Sequence, residues 1–128
     1  MTRFSTNALT KRYCALRGWP CATVQSFYGG KRHDLFGIAD SVILRQLAGE
    51  LWVQNCSYGT LKAHRDQISL NALLPLVSSA IELWEWRRKK VGRKKLWFLR
   101  RQAYLGSSKW GPISDWEGPI DLYFPKKR

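Results

Sequence analysis

Two aspartates and a glutamine beside a predicted β-hairpin carry the oxygen atoms that a hard metal ion prefers. Asp40 lies just before an apolar run at residues 42–44, Gln54 directly follows a second run at residues 51–53, and Asp34 lies six residues before Asp40. Mg²⁺ is typically held by one or two carboxylates together with water, and an amide oxygen is a weaker, neutral ligand. These three residues are therefore candidate ligands for Mg²⁺ or Mn²⁺, and such an ion could activate water for hydrolysis.

The two apolar runs predict the element that positions these residues. A polar turn containing Gly49 joins them, which is the pattern of an antiparallel hairpin. Asp40 enters the first strand and Gln54 leaves the second, so we expect both at the same end of the hairpin. Each residue also has a structural interpretation. Asp34 could serve in a turn, Asp40 could cap the start of a strand, and Gln54 could be a polar strand-end residue.

The remaining periodicity predicts an α/β order of α-β-β-β-α-(α)-β-β. Ser5 to Asn7 can cap a first helix that ends at Gly18, and Thr60 can cap another. Trp84 and Trp86 alternate with Ile81 and Leu83, which predicts a strand with two apolar faces. The other expected elements are a strand at 19–28, helices at 61–68 and 72–79, a basic loop at 87–95, a last strand at 96–105 and an irregular tail from 106.

The motif GIADSVIL at residues 37–44, followed by LWVQNC at residues 51–56, resembles the core of the PD-(D/E)XK nuclease superfamily. The resemblance is nearest to the VRR-NUC and Holliday-junction-resolvase-like branches and extends over roughly residues 5–105 in element order. It implies a restriction-endonuclease-like core, a mixed central sheet flanked by helices. In the family an Asp opens one strand, and the next strand carries an acidic residue, a spacer and a Lys. Asp40 falls on the Asp, Gln54 on the acidic position and Cys56 on the Lys.

This resemblance implies a metal-dependent endonuclease that acts on DNA, in the resolvase branch on branched DNA and as a homodimer. Asp34, Asp40 and Gln54 would bind the Mg²⁺ or Mn²⁺. Lys62 of the following helix could reach the place of the family's Lys, although a solvated helix lysine is the commoner role. His64 is a further candidate as general base. However, Gln54 lacks a charge, Cys56 cannot act as a lysine, and the first helix has no acidic residue. A non-catalytic nucleic-acid-binding module built on a nuclease scaffold therefore remains the alternative.

The charge favours a polyanionic partner. The chain has 22 Lys and Arg against 9 Asp and Glu, a formal net charge of +13, and residues 87–128 hold thirteen of the basic and three of the acidic side chains. Such an asymmetric basic load favours nucleic acid, DNA first, over an acidic protein partner. Base stacking could be added by Trp84, Trp86, Trp97 and Trp110, although packing in the core is the commoner use of tryptophan. The predicted nucleic-acid-binding residues are Lys31, Arg32, Arg65, Arg87, Arg88, Lys89, Lys90, Arg93, Lys94 and Lys95.

The 128 residues predict one α/β domain at 1–105 with an aromatic and basic tail at 106–128. The tail is expected to pack on that domain or to extend from it. No apolar run approaches the about 20 residues of a membrane span, and the first residues lack the apolar core of a signal peptide. Three cysteines without a Cys-x-x-Cys pair fit reduced thiols and disfavour a zinc site. We therefore expect a soluble, cytoplasmic protein without a membrane partner.

Overall fold

The computed structural model describes residues 5–28 and 31–122, and only the backbone of residues 26–28 and 31–33. A 3₁₀ turn (Leu74–Leu76) lies between the second helix and the sixth strand. The helices and strands in chain order are α1 (Thr6–Arg17), β1 (Cys21–Thr23), β2 (Ser26–Tyr28), β3 (Lys31–His33), β4 (Ser41–Arg45), β5 (Gly49–Ser57), α2 (Leu61–Ser69), β6 (Ala80–Val91), β7 (Lys94–Gly106), β8 (Lys109–Trp110) and β9 (Glu117–Ile120).

The main sheet has seven strands and is mixed. Its order is β1-β4-β5-β6-β7-β8, with β9 also paired to β7, while β2 and β3 form a separate two-stranded sheet. The β5–β6 pair is parallel, α2 lies between these strands in the chain, and every other pair in the sheet is antiparallel. This architecture confirms the predicted α/β class with a mixed sheet and helices.

Alternation along β6 separates the two faces of the sheet as predicted. Trp84 and Trp86 lie in one buried cluster with residues of α1, whereas Ile81 and Leu83 lie in a second cluster with residues of α2. Tyr13 of α1 meets both tryptophans edge-on, with ring centroids 5.6 Å and 5.9 Å away. Because both faces of the central strands are covered by apolar side chains, the ends of these strands are held firmly in place.

Caps define the first helix. The Ser5 hydroxyl accepts a hydrogen bond from the Ala8 N–H at 3.1 Å, and Gly18 ends the helix with a φ of 72°. The left-handed conformation at this position costs little free energy for glycine, because glycine has no Cβ. The predicted first helix is therefore confirmed, and its first turn is fixed where it approaches the sheet.

The predicted helix at residues 72–79 is wrong. Asn71 accepts a hydrogen bond from the Leu73 N–H at 2.8 Å, and only the 3₁₀ turn around Pro75 follows before Val77 becomes extended. The Asn71 bond is one that starts a helix, but Pro75 has no N–H to donate to the Asn71 carbonyl, and the N–H groups of Leu76 and Val77 close 3₁₀ turns instead. The predicted strand at 19–28 is likewise divided, into β1 and β2.

The predicted basic loop at 87–95 is also wrong, because β6 and β7 continue through it as one hairpin. Val91 pairs with Lys94 across a two-residue turn that begins at Gly92, which has a φ of 63°. Glycine adopts this left-handed conformation freely, so a tight turn forms where the charges suggested a mobile loop. The expected exposure is confirmed for residues 88–95, which are all exposed, while Arg87 is half-buried.

The segment after Gly106 is not wholly irregular, because β8 and β9 both pair with β7. The Trp110 ring meets Tyr104 of β7 with centroids 5.0 Å apart. Residues 123–128 of the predicted tail lie outside the described residues. Among the described residues, none of the helices has the length and apolar character needed to cross a membrane.

Candidate functional site

A cleft of about 650 Å³ opens where β5 ends, and residues of both helices contribute to its lining. Its polar floor consists of Asp34, Asp40, Gln54 and Asn55. The first turn of α1 forms one wall, so the positive end of the helix dipole faces the cleft. The fold therefore collects the predicted acidic residues in one concave site.

Asp40 lies at the start of β4, at the same end of the hairpin as Gln54, which confirms the predicted placement. Its N–H donates to the Val53 carbonyl at 3.0 Å, and its side chain is buried. Its Oδ1 accepts from the backbone N–H of Asn55 at 3.1 Å and from the Asn55 side chain at 2.8 Å. Burial raises the pKa of Asp40 to about 7 and the charge of Asp34 adds to the rise, while the Asn55 hydrogen bonds oppose it.

Asp34 faces the same cleft. Its Oδ1 accepts from the Gln25 amide at 2.5 Å. The amide of Gln54 lies between the two carboxylates. In one orientation the Gln54 nitrogen lies 3.3 Å from Asp40 Oδ2, and the Gln54 oxygen then faces only hydrogen-bond acceptors. When the amide is turned over, its nitrogen donates to Asp34 Oδ2 at 3.2 Å and to the Ile38 carbonyl at 2.9 Å. The turned amide then presents its oxygen to Asp40, which satisfies both groups when Asp40 carries a proton.

These oxygens are of the chemical kind that a hard cation binds, and the Gln54 amide lies between the two carboxylates. Each carboxylate has its Oδ1 held by a protein donor, which leaves Oδ2 of Asp34 and Oδ2 of Asp40 facing the Gln54 amide. For Gln54 to ligate an ion beside Asp34, its amide must keep its nitrogen towards Asp40; its oxygen then lies 3.2 Å from Asp34 Oδ2 and 2.9 Å from the Ile38 carbonyl. Oxygens about 3 Å apart can share an ion with bonds of about 2.1 Å. Residues 5–28 and 31–122 contain no group of three or more His, Cys, Asp or Glu that could hold a metal, so any such site has only two carboxylates.

Asn55 is the site residue that the sequence reasoning missed. Its amide nitrogen lies 2.8 Å from Asp40 Oδ1, 2.9 Å from the Ser41 hydroxyl and 2.9 Å from the Asn7 side-chain oxygen. The Thr10 hydroxyl of α1 donates to the Asn55 oxygen. The alternation along β5 could have identified it: Asn55 follows Leu51 and Val53, both buried, on the face of the strand that packs against α1. Asn55 thus connects helix, sheet and carboxylate in one buried network.

We expect Asn55→Ala to destabilise the fold by about 2–3 kcal/mol, because several buried polar partners lose their hydrogen bonds at once. The same change should raise the pKa of Asp40 further, since one donor to its carboxylate is lost. Urea unfolding measures the first effect, and an NMR titration of the Asp40 carboxyl carbon measures the second. Asn71→Ala, which removes a less buried amide away from the cleft, is the matched control. Equal losses in the two variants would contradict a special role for Asn55.

Cys56 lies in the apolar interior. It is fully buried, packs in the cluster that contains Leu61 and Ile68, and donates to the Gln54 carbonyl at 3.6 Å. Burial raises the pKa of its thiol, so Cys56 stays neutral. It lines no part of the cleft and brings no positive charge to it.

The lysine that lines the cleft is on α1 and not, as predicted, on α2. Lys62 is exposed on α2 and lies outside the cleft lining, whereas Lys11 of α1 is part of that lining. His64 also lines the cleft, as its candidacy as a base requires. Burial lowers the pKa of His64 and the charge of Asp34 acts in the opposite direction, so the neutral imidazole is favoured at pH 7.

The predicted nucleic-acid-binding residues differ in where their side chains lie. Arg65 is directed to the protein itself, with Nη1 donating to Gln102 at 3.5 Å, whereas the basic residues at 88–95 are exposed. The side chains of Lys31 and Arg32 lie outside the described part of the chain. Arg87 lies with Cζ 4.5 Å from the ring centroid of Tyr58. The tryptophans proposed for base stacking are committed to packing, since all four lie in or against the two apolar clusters: Trp84, Trp86, Trp97 and Trp110.

Comparisons with protein families, curated proteins and solved structures find no match for this chain. The restriction-endonuclease-like core accordingly stays an expectation from the sequence resemblance. The predicted element order is met only in part, because β1 and β2 replace one strand, β3, β8 and β9 are additional, and the helix at 72–79 is absent. The function is best inferred from the cleft, from its two carboxylates and from the distribution of positive charge.

Proposed function

We propose that this chain is a DNA-binding protein of nuclease-like fold whose cleft hydrolyses phosphodiester bonds with Mg²⁺ or Mn²⁺. The observation that carries the proposal is the convergence of Asp34 and Asp40 on the amide of Gln54. The two Oδ2 atoms face this amide while other protein groups hold the two Oδ1 atoms. Two like charges brought together in a buried cleft cost free energy, and a divalent cation would repay that cost.

The chain order around the cleft supports a restriction-endonuclease-like core. After α1 and the three short strands β1–β3, the β4–β5 hairpin is followed by α2 and by β6, which runs parallel to β5. Asp40 precedes the first strand of the hairpin, and Gln54 lies on the second. This is the arrangement that the resemblance to PD-(D/E)XK nucleases implies for the first two motif positions.

Each cleft residue has a role in this proposal. Asp34, Asp40 and the Gln54 oxygen would hold the ion, which when bound would polarise the phosphate and lower the pKa of a water. Lys11 and the first turn of α1 line the same cleft and would stabilise the negative charge of the phosphate. Neutral His64 can accept the proton of the attacking water.

The direct test is cleavage of labelled duplex, single-stranded, flap and four-way-junction DNA in Mg²⁺, in Mn²⁺ and in chelator. Preference among these substrates tests the branched-DNA specificity that the resemblance implies. Sedimentation of the same preparation tests the implied homodimer. Absence of metal-dependent products from every substrate would reject the nuclease.

We expect Lys11→Ala to reduce the cleavage rate by about a hundredfold, because the positive charge that lines the cleft beside the phosphate is lost. Lys62→Ala is the paired variant and should retain activity, since Lys62 lies outside the cleft lining. Single-turnover rates at saturating protein separate this effect from weaker DNA binding. The reverse ranking would restore Lys62 as the family's lysine.

A second function is favoured by the burial of Cys56. The family's lysine position is here neutral, buried and outside the cleft, and Gln54 supplies no charge at the acidic position. A nuclease scaffold that only binds nucleic acid would have these features. Such a protein would bind DNA equally well in chelator and in Mg²⁺ and release no product.

A further inference from the structure

The hairpin of β6 and β7 extends beyond the rest of the sheet. The last pair between β5 and β6 joins Ser57 to Trp86, and the outermost pair between β7 and β9 joins Trp97 to Ile120. Past these points, within the described part of the chain, the two strands pair only with each other up to the turn at Gly92. Residues 88–95, called the basic arm below, form this projecting ribbon.

The basic arm leaves the sheet at the end where the cleft lies. Strands β5 and β6 are parallel, so β6 runs on past the end at which β5 delivers Gln54 and Ser57 to the cleft. The turn of the arm and the cleft therefore share one end of the molecule. The β4–β5 turn and β8 lie at the opposite end, because β5 starts where β6 starts and β7 ends there.

The base of the arm packs against aromatic rings, whereas the basic side chains at its tip are exposed and form no ion pair among the residues described. Arg87, just before the arm, lies over the ring of Tyr58 with Cζ 4.5 Å from the centroid, and Arg88 lies 5.6 Å from that of Trp97. Beyond them the exposed basic residues form no ion pair with an acidic residue among the residues described. Those residues are Lys89, Lys90, Arg93, Lys94 and Lys95.

The cross-strand pairing opposes the stability of the free arm. Lys90 lies directly opposite Lys95, and like charges at paired positions destabilise a hairpin. Positive charges on both faces of a ribbon would instead be stabilised between two walls of negative charge. Lysines on open strand edges also prevent edge-to-edge association, and this is the competing explanation.

We infer that the basic arm enters the major groove of duplex DNA and holds it across the end of the sheet that carries the cleft. This inference rests on the proposed DNA binding and names the form of nucleic acid. The major groove of B-DNA is about 12 Å wide and admits a two-stranded β-ribbon. The major groove of duplex RNA is too deep and narrow for side chains, and a single strand offers no second wall.

The test is binding of a labelled duplex DNA, the duplex RNA of equal sequence and the single strand, in chelator and across a salt series. Lys90→Gln/Lys95→Gln should weaken duplex DNA binding about tenfold or more and reduce the slope of log K against log salt by about 2. The matched control, Arg45→Gln/Lys109→Gln, removes two charges from the opposite end of the sheet and should leave the slope nearly unchanged. Wild-type protein should protect guanine N7, which lies in the major groove, from methylation.

Three other outcomes would each contradict a different part of the inference. Equal losses in the two double variants, unprotected N7 or preference for the single strand would reject the arm while DNA binding stands. Unchanged binding together with self-association of the arm variant would assign the lysines to edge protection. Failure of the wild type to bind any of the three nucleic acids would reject the proposed function itself.

Discussion

Asp40→Asn is expected to abolish metal-dependent cleavage and, in the same protein, to raise the free energy of unfolding. The amide removes one of the two carboxylates that would hold the ion, so the rate should fall by at least about a thousandfold. The free energy of unfolding should rise because the buried carboxylate is paired with no cationic side chain in the described structure. Loss of function with a gain in stability is typical of a residue kept for chemistry.

The gain should depend on pH in a defined direction. The pKa of Asp40 is about 7 in the folded protein, against an ordinary value of 3.8. Below about pH 4 the residue is protonated in both states and contributes no penalty. Between these values only the folded state keeps the proton, so wild-type stability decreases as pH rises and levels off above about pH 7. One pKa unit corresponds to about 1.4 kcal/mol, so Asp40→Asn should gain a few kcal/mol at pH 8 and little at pH 4.

Urea unfolding of both proteins from pH 4 to pH 8 measures this difference. Asparagine can still accept from Asn55 through its oxygen. With the Gln54 amide turned over, it can also donate to the Gln54 oxygen, so the substitution leaves the network satisfied. Asp115→Asn, which changes an exposed carboxylate, is the matched control and should show neither effect. A destabilised Asp40→Asn protein, or a gain independent of pH, would contradict the burial argument.

Arg100→Met is expected to cost about 3–5 kcal/mol, because it leaves a buried carboxylate without its cation. Glu85 is 1% exposed, and its Oε1 accepts from Arg100 Nε at 2.5 Å. Its Oε2 accepts from the Gly59 N–H at 2.9 Å. Arg100 also lies 4.5 Å from the ring centroid of Trp116, so the pair is part of the support at the base of the arm.

The neighbouring arginine provides the matched control. Arg101 faces the other side of the sheet and reaches Glu117 at 3.6 Å, with both side chains about a third exposed. A surface pair of this kind contributes about 0–1 kcal/mol, so Arg101→Met should have a small effect. Adding Glu85→Gln to Arg100→Met should recover much of the loss, since glutamine removes the charge and still accepts from Gly59. Urea unfolding of the wild type, the two arginine variants and the double variant measures these free energies. Equal losses for Arg100→Met and Arg101→Met would contradict the importance of the buried pair.

The local elements could be predicted because their signals are local. Ser5 and Gly18 mark the first helix through their own backbone and side-chain preferences, and the apolar runs on either side of Gly49 mark the hairpin. The alternation of Trp84 and Trp86 with Ile81 and Leu83 predicts two buried faces without any knowledge of what covers them. The end of the hairpin that carries Asp40 and Gln54 follows from chain direction alone.

Two local predictions failed where the strongest signal was misleading. Seven charges in nine residues, 87–95, indicated a mobile loop, but charge excludes burial and does not exclude strand pairing. The apolar run after Asn71 indicated a helix, but Pro75 has no N–H for the α-helical bond to the Asn71 carbonyl, and only a 3₁₀ turn forms.

The sequence by itself determined the composition of this protein: an α/β chain with an acidic hairpin end and a heavily basic carboxyl-terminal third. Only the tertiary structure decided which residues share the cleft. Asn55, Lys11 and Asp34 reach it from separate elements, and Cys56 is directed away from it although it lies two residues from Gln54. The physical reason is that strand periodicity specifies the face on which a side chain lies, whereas its partners depend on which helix packs there and in what register.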